Sequence, residues 1–441
     1  MSKVSIGHIR EQELYEALVE RFGRDSVYIN SKYVQADGLE KELWDVMVLS
    51  LPYAVVFQIK WRDRTADVFA GDRSKVEIAR LEKKINSAAK QFYEFLSLYH
   101  NCASVRLPRV WRNNGGNYDL PLEYIRHIIP VVVIDFEDFD YAEPSKRTNL
   151  RPEVAELPVC VKSLGIIHCF LFKDLINIVS EMFTVGDLVT YLIKRRQLIE
   201  SNVKVLNYAE LDLFALYQSN YPTWEDLRLE DFAAIESGIF EAKRIKHTAK
   251  FQQRQEFYKK CDHIDRLLAS IARCALNDIV CLQNIGRLRL MTSVMKKNVS
   301  SVITQNLEKF SNPKDGNICS MQTSIGNYDS ELMSDSYFCI TVCNGDATQM
   351  FPIANYSYLR SLRRILSQDK SDVAKEVMLI IISGTTSVSY IEVRQILKDD
   401  YKFALTDEEI TSTRLHFDEC KFKASEWNYM QEKQFAAENH N

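Results

Sequence analysis

The sequence predicts an α/β protein: a mixed sheet flanked by helices over residues 1–200, a helical domain over 201–315 and a small α/β domain over 316–441. Three observations predict it. In the first two hundred residues, apolar runs of strand length alternate with stretches whose apolar positions recur at helical spacing. From Phe240 to Leu307 the chain holds no Pro and one Gly, Gly286, with Lys, Arg, Glu and Gln between apolar positions. Beyond a polar run at Ser311–Asp335, strand-like runs return at Tyr337–Val342 and Val377–Ser383.

The first element is a helix from about Ile9 to Phe22. Leu14, Leu18 and Phe22 form its inward stripe, and Gly23 stops it. Strands follow near Leu43–Leu49 and Tyr53–Lys60. A long amphipathic helix is expected over Ser74–Leu96, with Ile78, Leu81, Ile85, Ala88, Phe92 and Phe95 as its apolar stripe. Ile128–Asp135, interrupted by Pro130, and Gly165–Phe172 read as buried strands. Helices over Asp174–Phe183 and Val185–Ile199 close the region, with Thr184-Val185-Gly186-Asp187 as a break and restart between them. Leu206–Phe310 reads as helices only, and Ser311–Asp335 as a linker or long loop. Near the end, Ser389 with Glu392 and Thr406 with Glu409 match capping boxes and predict two short helices.

A chain of 441 residues is too long for one core, so two or three domains are expected. The formal net charge is -4, which excludes a uniformly basic coat but not a local basic face. The ten cysteines run from Cys102 to Cys420 without a CxxC pair, and no signal peptide is read. They are therefore expected to be reduced thiols in a cytoplasmic protein. No segment approaches the ~20 apolar residues of a membrane helix. No phosphate loop, dinucleotide fingerprint or nucleophile elbow is present.

The chemistry gathers in one hairpin. Folding between Leu51 and Pro52 sets Asp45 opposite Gln58, on the same face. Lys60, two residues on, shares that face. A slip of one residue would scatter the three. Phosphodiester hydrolysis needs a hard cation to hold and polarise the phosphate. Asp45 offers a charged oxygen and Gln58 a neutral carbonyl. Lys60 can hold or deprotonate the attacking water and offset charge on phosphorus.

Asp45 with Gln58-Ile59-Lys60 resembles the core of the PD-(D/E)xK, or restriction-endonuclease-like, nuclease superfamily. Upstream, Gly7-His8-Ile9-Arg10-Glu11-Gln12-Glu13-Leu14 is similar to the opening of archaeal Holliday-junction resolvases of that superfamily. The resemblance implies a restriction-endonuclease-like sheet and a catalytic set of Glu11, Asp45, Gln58 and Lys60. Glu13 is the second choice for the helix carboxylate. Asp45, Gln58 and Glu11 would hold Mg2+, or Mn2+. Gln58 departs from the acidic residue usual there, as in Mrr-like enzymes, and supplies one less negative ligand. The resemblance also places Lys83, Lys84, Lys90 and Gln91 of the following helix near the scissile phosphate. Arg62 and Arg64 add to that basic face. DNA is the expected partner and RNA an alternative; a second copy or a protein partner is compatible with the remaining regions. By analogy the chain looks like a bacterial restriction or anti-phage defence effector.

Blander readings stand beside these. Taken singly, Asp45 is a strand-end carboxylate, Gln58 and Lys60 a strand emerging into solvent, and Glu11 a satisfied carboxylate. The Lys/Arg of the helix after Ser74 and the basic run Lys243–Lys250 read as solvated helix faces. Asp135 to Asp140 reads as a strand end leading into a loop. Cys261, His263, His168 and Cys169 read as structural. A catalytically inactive nuclease-fold module that binds nucleic acid or a protein is the rival to an active enzyme.

Overall fold

The computed structural model describes residues 6–34, 40–62, 83–84, 86–92, 94, 104–111, 115–136, 167–200, 204–206, 209–219, 232–234, 238–244, 256–257, 264, 268, 278–310, 321–326, 336–343, 375–383 and 387–396. The chain divides into two compact units. One comprises Met1–Glu256 with Ala275–Val294, the other Phe257–Cys274 with Met295–Asn441.

The first unit is built on a seven-stranded mixed sheet. Its strands are β1 (Val27–Val34), β2 (Glu40–Ser50), β3 (Tyr53–Arg62), β4 (Ser104–Pro108), β5 (Asn117–Pro121), β6 (His127–Phe136) and β7 (His168–Leu171). Their order across the sheet is β5-β4-β1-β2-β3-β6-β7. β3, β6 and β7 run parallel and the other neighbours antiparallel. β6 lies between parallel neighbours, and Val131–Ile134 are fully buried, as a parallel strand covered on both faces requires. Pro130 is tolerated there because pairing with β7 begins one residue later, at Val131.

Helix α1 (Ile6–Phe22) packs on β1, β2 and β3. Leu14, Leu18 and Phe22 are its buried stripe, as the spacing predicts. Gly23 closes it at φ 86°, its N–H bonded to Val19 O at 2.9 Å. The expected helix after Ser74 is present where it is described. Residues 86–92 form α2, with 83, 84 and 94 also helical, while 74–82 lie outside the described residues. Ala88, Ala89 and Phe92 of α2 are buried.

After β7 come α3 (Phe172–Glu181) and α4 (Val185–Glu200). The break between them is a reciprocal cap. Thr184 Oγ1 accepts the Asp187 N–H at 3.1 Å, and Asp187 Oδ2 accepts the Thr184 N–H at 3.1 Å. A buried polar network ties β7 to the helices behind it. Arg195 of α4 is fully buried and reaches His168, and it grips Glu210 of α5 (Glu210–Ser219) through two 2.9 Å bonds. His168 is held well below its ordinary pKa, first by burial and then by the Arg195 charge. Buried at 1% exposure against Arg195, it fits the structural reading.

The reading of 206–310 as helices only is corrected by a short parallel pair, β8 (Lys204–Leu206) with β9 (Phe232–Ala234). Helix α6 (Ile239–Arg244) follows β9. Helix α7 (Asp278–Arg289), which composition groups with the helical middle, belongs to the first unit. Gly286 brings α7 against the β2–β3 turn; a Cβ there would meet Leu51 N at 2.5 Å and Leu51 O at 2.7 Å. Ser50 Oγ donates to Gly286 O at 2.7 Å, and Arg289 pairs with Asp25 at 2.8 Å. Asp278 accepts from Trp111 Nε1 at 3.2 Å and pairs with Arg109 at 3.1 Å.

Helix α8 (Ser293–Phe310) leads into the second unit. There, β10 (Met321–Gly326), β11 (Ser336–Cys343), β12 (Lys375–Ser383) and β13 (Ser387–Ile396) form a sheet in that order. Two expectations are corrected here. The polar run 311–335 contains β10, which pairs antiparallel with β11. The Ser389/Glu392 segment is strand, not helix, because Val388, Ile391 and Val393 favour extended backbone and the run pairs with β12 on both sides of a bulge at Ser389. The Thr406 helix lies outside the described residues. Among the described residues, no helix is long and apolar enough to cross a membrane.

Candidate active site

The hairpin register is the one expected from folding between Leu51 and Pro52. Val46 pairs with Phe57, Met47 with Val56, Val48 with Val55, Leu49 with Ala54 and Ser50 with Tyr53. Continued by one step it sets Asp45 level with Gln58. There the backbone ladder gives way to side chains. Asp45 Oδ2 accepts the Ile59 N–H at 2.5 Å. Gln58, 2% exposed, donates through Nε2 to Leu43 O at 3.4 Å. Lys60 Nζ donates to Gln58 Oε1 at 3.3 Å and to Gln91 Oε1 of α2 at 2.7 Å.

Glu11 enters from α1. Gly7 explains how: a Cβ on it would collide with Trp61 Nε1, so the start of α1 lies directly on the end of β3. Glu11 is one of the charges acting on both Asp45 and Lys60. Its Oε2 lies 3.0 Å from His8 Nδ1. Glu13, the second choice, pairs instead with Arg10 at 2.6 Å. Arg10 also takes Asp135 at 2.5 Å, and its guanidinium lies 5.0 Å from the centre of the Phe172 ring. Asp135 is therefore spent on α1, near the end of its strand.

The electrostatics follow from burial. The Asp45 carboxyl is raised to about 6, first by burial. The Ile59 N–H and Lys60 pull it down, while Glu11 and Glu42 push it further up. Lys60 is lowered, first by burial, with Lys84 adding to the effect and Asp45 opposing it. Here an amine and a carboxyl are both pushed toward neutrality, a pattern common at sites of proton transfer.

Two neighbours escaped the sequence reading. Glu42 arrives through a β-bulge. Ser31 pairs with Trp44, but Lys32 pairs with Glu42, so Leu43 is the extra residue and the side-chain alternation of β2 inverts. Glu42 thereby joins Asp45 on one face, and its charge acts on Asp45 and Lys60. The signal was invisible in a strict period of two. His8 is the other. Its pKa is raised by the hydrogen bond to Glu11 and then by that carboxylate's charge.

Of the residues expected to contact nucleic acid, Lys83, Lys84 and Lys90 are exposed on the α2 side. Gln91 bonds Lys60. Arg62 ends β3, and Arg64 lies outside the described residues, as do Cys261 and His263.

The donor set suits a hard divalent cation: carboxylate oxygens of Asp45 and Glu11 and the Gln58 carbonyl, where the charges of Asp45, Glu11 and Glu42 all act on Lys60. The upward push that Glu11 and Glu42 exert on Asp45 is the repulsion a cation would relieve. Among the described residues, no three His, Cys, Asp or Glu side chains converge as a metal cage. A cation here would therefore draw on the amide, on water and on substrate oxygens as well. No family model, no curated protein and no solved structure matches the chain.

Proposed function

We propose that the chain is a divalent-metal-dependent nuclease of the PD-(D/E)xK type, hydrolysing phosphodiester bonds of DNA. The observation that carries this reading is the convergence of Asp45, Gln58 and Lys60 at one end of the β2–β3 hairpin, with the Glu11 charge beside them. Asp45, Glu11 and Gln58 would hold Mg2+ or Mn2+, which when bound supplies a Lewis acid for the phosphate. Lys60 orients the attacking water and offers its ammonium to charge developing on phosphorus. Burial, by lowering its pKa, also gives it access to the amine form that can accept a proton. Lys83, Lys84 and Lys90 offer charge to the nucleic-acid backbone on the Lys60 side. The additional regions fit a restriction or anti-phage defence effector, with the second unit serving substrate choice, oligomerisation or regulation.

A second reading is a non-catalytic module that keeps the fold to bind nucleic acid or a protein. Its support is that Gln58 Oε1 is engaged by Lys60 and Glu11 Oε2 by His8. One experiment separates the two. Plasmid, single-stranded DNA and RNA are incubated with the full chain in Mg2+, Mn2+ or EDTA, beside Lys60→Ala. The enzyme reading expects metal-dependent cutting that the variant loses. No cutting of any substrate, together with a melting temperature that neither metal moves, favours the module.

A further inference from the structure

We propose that Gln91 is a positioning residue for Lys60 and not a contact to the nucleic-acid backbone; the inference rests on the nuclease reading for its consequence in rate. Lys60 Nζ donates to two amide oxygens, at 2.7 Å to Gln91 and 3.3 Å to Gln58. The shorter bond is to the residue that comes from a different element, 31 positions away. An ammonium on four rotatable carbons has no fixed place of its own; two acceptors from two directions give it one. Gln58 is immobilised by burial in the sheet. Gln91 is immobilised by α2, whose Ala88, Ala89 and Phe92 are buried on both sides of it in sequence.

The chemistry of the acceptor matters as much as its place. A carboxylate at position 91 would hold Lys60 as a permanent ammonium and compete with the phosphate for it. An amide carbonyl fixes Nζ without adding charge, so the lysine stays available to the substrate. Gln91 presents its carbonyl oxygen to Lys60, the half of the amide that can accept from an ammonium.

The test uses the full chain with Gln91→Met, which keeps length and removes the acceptor, and Gln91→Glu, which keeps an acceptor. Both sit at an exposed position, and melting curves check that each variant folds. The positioning role expects Gln91→Met to lower kcat roughly ten- to hundredfold, with KM and the salt dependence of DNA binding unchanged. A backbone contact predicts the reverse: KM rises and kcat holds, which overturns the inference. A second readout needs no activity. Acetylation of Lys60 by acetic anhydride, followed by mass spectrometry, is expected to quicken several-fold in Gln91→Met but not in Gln91→Glu, with Lys90 unchanged in both. Equal Lys60 labelling in wild type and Gln91→Met refutes the clamp. Faster labelling in a chain that cuts nothing keeps the clamp and removes the nuclease reading.

Discussion

Asp45→Asn tests the electrostatics of the site directly. In the folded protein the Asp45 carboxyl is raised from 3.8 to about 6, chiefly by burial. Between those values the folded state binds more protons at this group than the unfolded state does. Its contribution to stability is therefore greatest below pH 3.8 and is lost as pH rises through about 6. The whole shift corresponds to about 3 kcal/mol, of which about 2 kcal/mol is lost between pH 4.5 and pH 8. Asn keeps the shape, keeps an oxygen for the Ile59 N–H and cannot ionise. The assay is urea denaturation of both proteins at about pH 4.5 and about pH 8 in EDTA, either side of the folded-state value. Whatever Asn changes in packing is common to both pH values, so the difference of differences reads the charge alone. The expected outcome is that Asn gains about 2 kcal/mol on wild type over that interval. A saturating divalent cation should restore wild type at about pH 8 by about 2.7 kcal/mol at roughly a hundred times its Kd, and leave Asn unmoved. If the two proteins differ by the same amount at both pH values, the carboxyl is not desolvated and the reasoning about this site fails.

Three further outcomes are expected. Replacing Lys84 and Lys90 by Ala should weaken DNA binding without regard to sequence and reduce the salt slope by about 1 for each phosphate no longer neutralised, measured by fluorescence anisotropy at several salt concentrations. Gly286→Ala would press a Cβ to 2.5 Å from Leu51 N, and should cost about 1–3 kcal/mol in a denaturant titration, because the obstacle is backbone. Arg195→Ala leaves Glu210, 9% exposed, without its bidentate partner, and should destabilise the first unit by about 3–5 kcal/mol on the same titration.

How much of this was legible in the sequence depended on whether the signal was local. The hairpin was legible because two apolar strands flank a Leu-Pro turn, and the position of the fold alone sets the register. Helix α1 was legible through Leu14, Leu18, Phe22 and Gly23, and the α3–α4 break through Thr184 and Asp187. Strand β1 was missed because Asn30-Ser31-Lys32 interrupt its apolar start, with Asn30 at φ 49°. Strands β4 and β5, each five residues long, are too short to show a period. The bulge at Leu43 is a property of two strands together, so Glu42 could not be assigned to a face from β2 alone. Gln91 illustrates a different gap. Its presence near the site followed from the resemblance, but its partner is Lys60, and no spacing rule connects residues in a strand and a helix that lie 31 apart. Around Ser389 the capping box is a local preference, overridden by the pairing of its neighbours Val388 and Tyr390 with β12.

The excursion of the chain between its two units has a consequence for biosynthesis. Residues 257–274 join the second unit before Ala275–Val294 return to complete the first. A nascent polypeptide stopped at residue 256 lacks α7, and with it the Ser50–Gly286, Asp25–Arg289 and Trp111–Asp278 bonds. The β2–β3 turn, whose strands carry Asp45 and Lys60, is then uncovered. The first unit is therefore complete in sequence only once residue 294 has been made, 123 residues beyond Leu171 at the end of β7. A product truncated before that point is expected to expose the face of the β2–β3 turn that α7 covers, and a limited-proteolysis comparison with the full chain checks it.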